Sequence, residues 1–267
     1  MNRERSYNGL TFCELRQFLE EKHIQYNNPS FIQTDPISIP HRFSEKNDRE
    51  ISGFLVASIA WGRRDLIIRS GNILLGAMDN QPYEFVMSAG SDDLKRISNF
   101  VHRTFNGTDC IYFMRGLRRI YSDYKSMEDV ILRGMRKSGS LKEGMSFLRH
   151  HFFCEAHQTR TEKHFADISG GAAGKRLNMF LRWMVRNDGR GVDFGIWKGI
   201  DPSLLYIPLD FHSGNTARKL GLLKRKMNDW KAVEELTANL REFDQADPVK
   251  YDFALFGLGV FERFGEL

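Results

Sequence analysis

Apolar residues recur along this chain every three or four positions and almost nowhere every second one. Thr11-Phe12-Cys13-Glu14 has capping-box spacing, and Phe12, Leu15, Phe18 and Leu19 follow at helical intervals, which predicts a helix to about His23. Behind Asp48, the expected N-cap of the next helix, come Ile51, Leu55, Ile59 and Ala60, ending at Trp61-Gly62. After Arg63-Arg64, Leu66, Ile67, Ile73, Leu74 and Leu75 continue in a second helix, so the pair reads as a tight helix–turn–helix. Further helical segments are expected around 82–88, 92–99, 109–124 and 126–136, and Ser140-Leu141-Lys142-Glu143 opens one that runs to about Phe153. A strong helix spans Lys175 to Val185, and Asp193 to Tyr206 suggests one or two short helical turns. Others follow at 211–222, 229–242 and 248–262, the last with Asp247 as N-cap and Pro248 at its first position. No segment alternates with period two between hairpin turns, so the predicted class is all-α, with roughly ten to twelve helices joined by short loops.

Composition narrows the class further. At 267 residues, 41% hydrophobic and 27% charged, the chain is long enough for one large or two small globular domains. The longest apolar runs are only a few residues, which argues against a membrane span, and residues 1–7 carry no apolar export signal. Cys13, Cys110 and Cys154 are odd in number and widely spaced. They read as reduced, mostly buried thiols of a cytoplasmic protein, not as a disulfide framework, a zinc site or an iron–sulfur site. No cofactor motif stands out; Gly257 and Gly259 follow no strand and suggest close helix packing, not phosphate binding. A net charge of +5 and a pI near 9.1 permit a nucleic-acid partner without specifying one.

Candidate chemistry concentrates in two stretches. In Gly174-Lys175-Arg176-Leu177-Asn178-Met179-Phe180-Leu181-Arg182-Trp183-Met184-Val185-Arg186, Arg182 and Arg186 lie within about 20° of Lys175 around a helix. The glycine-rich turn Ser169-Gly170-Gly171-Ala172-Ala173-Gly174 leads into that helix and would offer backbone N–H groups to an anion such as phosphate. The same spacing also describes the solvated basic face of an ordinary amphipathic helix. A desolvated lysine can attack an electrophilic carbon and form a Schiff base if a carboxylate orients it. Asp210, 35 residues downstream in Leu209-Asp210-Phe211-His212, is the candidate. Asp210 and His212 could alternatively be half of a metal site, although no paired histidines at helical spacing complete one.

These stretches carry a resemblance. Leu209-Asp210-Phe211-His212 followed by Arg218-Lys219-Leu220-Gly221-Leu222 resembles the V-D-T-H…R-L-G-L segment of the helix-hairpin-helix DNA glycosylases, the endonuclease III-like superfamily. Gly170 to Asn178 is similar to that superfamily's L-P-G-V-G-x-K-x-A-N hairpin, with its lysine at Lys175 and its aspartate at Asp210. Ile51 to Leu75, with Trp61-Gly62-Arg63-Arg64 at the turn, looks like the early helix pair whose turn enters the duplex. A family of uncharacterised bacterial proteins carrying K-R-L-N-x-F-L-R-W-M-V-R and P-L-D-x-H resembles the chain over more of its length.

The resemblance implies a two-lobed all-α fold with one lobe over 48–186, a second made of 1–47 plus 207–267, and an insertion at 187–206. It implies base-excision repair of double-stranded DNA in a cytoplasm, with no metal or cofactor required. Lys175 and Asp210 would be catalytic, with possible abasic-site lyase activity through a lysine Schiff base. Gly170, Gly171, Gly174, Arg182, Arg186, Arg218, Lys219, Arg63 and Arg64 would touch the nucleic acid, and Trp61, His102 and His212 would line a pocket. The alternative is a nucleic-acid-binding protein that keeps this scaffold without catalysis.

Overall fold

The computed structural model describes residues 7–264, and over them the protein is all-α. In chain order the helices are α1 (Phe12–Tyr26), α2 (Pro29–Ile32), α3 (Lys46–Ser58), α4 (Arg64–Ala77), α5 (Pro82–Ser88), α6 (Ser91–Ser98) and α7 (Gly107–Asp123). They continue as α8 (Met127–Ser138), α9 (Leu141–Phe152), α10 (Lys175–Val185), α11 (Phe211–Lys219), α12 (Trp230–Phe243) and α13 (Tyr251–Val260). Short 3-10 turns fill several connections, and the only sheet among the described residues is a hairpin of β1 (Val101–His102) and β2 (Phe105–Asn106).

Most helix starts follow local chemistry. Thr11 and Glu14 close the expected capping box on α1, and Ser140 caps α9 by accepting from Glu143 N. Two expected caps are corrected. α3 starts at Lys46, ahead of Asp48, whose carboxylate instead accepts from Tyr83 N at 2.9 Å. Asp247 makes no cap hydrogen bond; Pro248–Lys250 is a 3-10 turn, and the Asp247 carboxylate goes to Arg186. In both cases a tertiary partner takes the carboxylate that spacing assigned to the local backbone.

The chain divides into two compact units. The first holds the described residues of Met1–Phe31, Gly171–Gly195 and Asp201–Leu267; the second holds Ile32–Gly170 and Ile196–Ile200. This differs from the boundaries expected from sequence, because α10 belongs with the terminal segments and residues 32–47 belong with the central ones. The cause lies in what the helices bury. Arg182 and Arg186 of α10 pair with carboxylates of the terminal segment, whereas Ile37 and Ile39 are core residues beside α3 and α4.

In the first unit α13 packs against α1 and α11. Its glycines explain the closeness. A Cβ at Gly257 would run into the Tyr26 ring, and one at Gly259 would stand 3.0 Å from His212 Cβ and from Thr216 Oγ1. In the second unit the rings of Phe54, Phe113, Phe152 and Phe165 interlock. Glu50 is buried there with three donors: Tyr121 Oη at 2.7 Å, Met127 N at 2.6 Å and Trp197 Nε1 at 2.6 Å. Burial still raises its pKa despite those bonds. Trp197 comes from the stretch expected to be an insertion, so 187–206 is core-forming. Val192, Trp197 and Ile200 are all buried.

The cysteines are free; Cys110 is buried, whereas Cys13 and Cys154 are exposed, against the expectation of mostly buried thiols. No helix of the described residues is long and apolar enough to cross a membrane.

Candidate functional site

The site begins with a turn. Gly171 (φ +92°) and Gly174 (φ +61°) take left-handed backbone conformations that side chains disfavour, so the Gly-rich stretch can reverse directly into α10. Trp230 N donates to Gly171 O at 2.9 Å, and Ala172 bridges to Asp229, which ties the turn to the start of α12. Asn178 Nδ2 donates to Ala173 O at 3.1 Å from within the helix. Lys175 is therefore the first residue of a helix whose entry is fixed from both sides.

Asp210 is fixed by a different device. It is the N-cap of α11: its Oδ1 accepts from Ser213 N at 3.0 Å, while Ser213 Oγ accepts from Asp210 N at 3.0 Å. The cap occupies one carboxylate oxygen and sets the rotamer. The other, Oδ2, stands 3.9 Å from Lys175 Nζ, with each side chain about a quarter exposed (27% and 25%). Lys175 Nζ also meets Met179 Sδ at 3.6 Å. Two residues 35 positions apart in the chain thus form one solvent-reached ion pair within a single unit.

Beneath this pair lies a charge network that sequence reasoning misassigned. Arg182 and Arg186 do share the Lys175 face, but they are 4% and 1% exposed and are corrected from phosphate contacts to buried ion-pair partners. Arg182 Nε meets Asp193 at 3.2 Å, its Nη1 meets Asp252, and its guanidinium lies 4.3 Å from the centre of the Phe253 ring. Arg186 bonds Asp193 at 3.0 Å, Asp188 at 2.8 Å and Asp247 at 2.8 Å. Burial disfavours charge on Arg186, yet Asp193, Asp247 and Asp188 outweigh it and raise its pKa. Asp252 is the carboxylate that loses. Burial pushes it up to about 6, with Arg182 opposing, Asp210 adding to the rise and Lys175 lowering it. Asp252 is therefore electrostatically part of the Lys175–Asp210 site.

The remaining expected residues divide. Arg218 is half-buried and bonds Arg225 O at 2.8 Å and Asn228 Oδ1 at 2.5 Å, so it braces a loop. Lys219 Nζ lies 5.9 Å from the Phe264 ring. His212 is beside Gly259, on the first unit. Gly170, Trp61, Arg63, Arg64 and His102 belong to the second unit. There Arg63 is exposed and paired with Asp65. The rings of Trp61 and His102 meet edge to face at 5.2 Å, and His164 stacks on Trp61 at 5.7 Å. Among the described residues, no group of three or more His, Cys, Asp or Glu side chains is gathered so as to hold a metal ion.

Asp193 and Asp252 were missed. The signal was present as two arginines on a helix whose other faces are apolar, since buried guanidiniums require buried counter-charges. Which aspartates would supply them is a tertiary matter.

The family model described as a protein of unknown function, DUF2400, matches residues 35–261. The chain belongs to this family. The match takes in α3 through α13, and with them Lys175, Asp210, Arg182, Arg186, Asp193 and Asp252. No curated protein and no solved structure matches the chain.

Proposed function

We propose that this DUF2400 protein is a DNA base-excision glycosylase with abasic-site lyase chemistry, centred on Lys175 and Asp210. The observation that carries this reading is the 3.9 Å approach of Lys175 Nζ to Asp210 Oδ2 at a partly exposed surface. It supports the pairing that the glycosylase-like motifs imply. An ammonium cannot attack carbon, and Asp210 Oδ2 is positioned to take its proton. The amine then attacks C1′ of a nucleotide turned out of the duplex; the C1′–base bond breaks, its electron pair leaves with the base, and the base gains a proton. Loss of the amine proton and opening of the sugar give a Schiff base. Removal of a C2′ proton and departure of the 3′ phosphate complete strand nicking. Asp210 hands the proton it took from the lysine to the departing base and, ionised again, stabilises positive charge on the nitrogen and sugar.

A second reading is nucleic-acid binding without catalysis. It is favoured by the helix-capping role of Asp210, which accounts for that residue on stability grounds alone.

Borohydride trapping on duplex DNA carrying an abasic site or an oxidised base tests the first reading. The wild-type protein should give a covalent adduct, absent in Lys175→Gln and strongly reduced in Asp210→Asn. An adduct that persists in Lys175→Gln overturns the lysine assignment. Salt-dependent binding without any adduct favours the second reading.

A further inference from the structure

The chemistry above leaves one edge of the site unused. Phe211, the residue after Asp210, is 64% exposed, and Met227 is 67% exposed. Asn228 Nδ2 donates to Asp210 O at 2.9 Å, so Phe211 and Met227 are each the chain neighbour of a residue in this single hydrogen bond. The loop carrying Met227 is braced on α11. Arg218 spends two donors on it, one to Arg225 O and one to Asn228 Oδ1, although burial lowers the Arg218 pKa. Gly214 makes room: a Cβ there would come within 2.9 Å of Asn228 Oδ1.

Charge on the loop is sorted. Arg225 is clamped on Asp229, with Nε at 2.6 Å. Glu235 accepts from Lys224 N at 2.6 Å, and Glu234 accepts from Trp230 Nε1 at 2.7 Å. Lys224 and Lys226 are exposed, and neither forms an ion pair among the described residues. A partly buried arginine thus fixes a loop whose exposed side chains include two lysines and a methionine, with the exposed Phe211 next to the Asp210 to which the loop is bonded. Isolated surface hydrophobics need no explanation, but two together with free ammoniums at the edge of a lysine–aspartate pair form an amphipathic strip.

We infer that Phe211, Lys224, Lys226 and Met227 form the rim that receives the DNA strand. The inference rests on the glycosylase reading and adds a surface to it. The ammoniums would neutralise two backbone phosphates, Phe211 would stack on the face of the displaced base, and Met227 would pack against the neighbouring nucleoside. Charge complementarity selects DNA over an apolar partner, since two exposed lysines precede the exposed Met227 on the same loop.

The test is fluorescence anisotropy of the full chain with a labelled duplex containing one abasic site, across a salt series, run beside borohydride trapping. Lys224→Ala/Lys226→Ala should weaken binding and reduce the salt slope by about two, as expected for two lost phosphate contacts. Phe211→Ala should weaken binding roughly 5- to 100-fold, as for loss of one base–aromatic stack. All three side chains are exposed, so thermal midpoints should match the wild type. Unchanged affinity and salt slope in the double variant overturn the rim, and if the wild type still forms the adduct, the glycosylase reading stands without it. Weakened binding with no wild-type adduct supports the rim and removes the lysine chemistry. A wild type that binds no DNA overturns both.

Discussion

Asp210 performs two tasks with two oxygens, and substitutions can separate them. Oδ1 holds the α11 cap and Oδ2 faces Lys175. Asparagine caps helices about as well as aspartate, so Asp210→Asn should leave the denaturant midpoint close to the wild type while abolishing most adduct formation. Asp210→Ala should lose the adduct and also cost about 1 kcal/mol of stability. Equal destabilisation by both variants would mean that the lysine contact, not the cap, stabilises this end of α11. Asp210 was legible in sequence because its signals are local: the Leu209-Asp210-Phe211-His212 string at an expected helix start and an Arg-Lys-Leu-Gly-Leu close. The pairing of Lys175 with Asp210 was expected from the resemblance, because nothing in a 35-residue separation by itself fixes where two helix starts meet.

At the level of the element, α10 shows how a correct helical pattern can point the wrong way. Lys175, Arg182 and Arg186 do share one face, yet only its first turn reaches solvent; the next two turns face Asp193, Asp252, Asp188 and Asp247. Periodicity identifies a face and is silent on what covers it. Arg182→Met removes one partner and leaves Asp193 and Asp252 buried with less compensation, so it should destabilise by about 3–5 kcal/mol in urea titrations. A solvated phosphate-binding arginine would instead change stability by less than about 0.5 kcal/mol. Helix packing gives a second check. Gly259→Ala should push α13 from α11 at His212 and Thr216, costing about 1–3 kcal/mol by thermal unfolding. It should also reduce adduct formation, because α11 carries Asp210.

For the whole molecule, the buried charges set an acid response of mixed sign. Burial and the Arg186 charge lower His23 to about 4, below its ordinary 6.5. The unfolded chain therefore takes up a proton that the folded one refuses, and stability from His23 is complete above pH 6.5 and lost as pH falls toward 4. Asp252, raised to about 6 from 3.8, works oppositely: its contribution is complete below 3.8 and disappears as pH rises through 6. Each slope is bounded by one proton, about 1.4 kcal/mol per pH unit. His23→Gln should thus flatten the loss of stability between pH 6.5 and 4, and Asp252→Asn should steepen it, both read from denaturant titrations at stepped pH.

What the sequence determined by itself was the all-α class, the helix series and the Thr11 and Ser140 caps, because these depend on spacing and on groups within a few residues. It also singled out Lys175, Asp210 and the tight glycines of α13. Tertiary structure alone decided that Asp210 Oδ2 meets the lysine, that Arg182 and Arg186 are interior, and that 187–206 supplies Asp193 and Trp197 to two cores. A carboxylate's partner is whichever cation folding brings within a few ångströms, and that distance is set by helix packing, which no local spacing encodes.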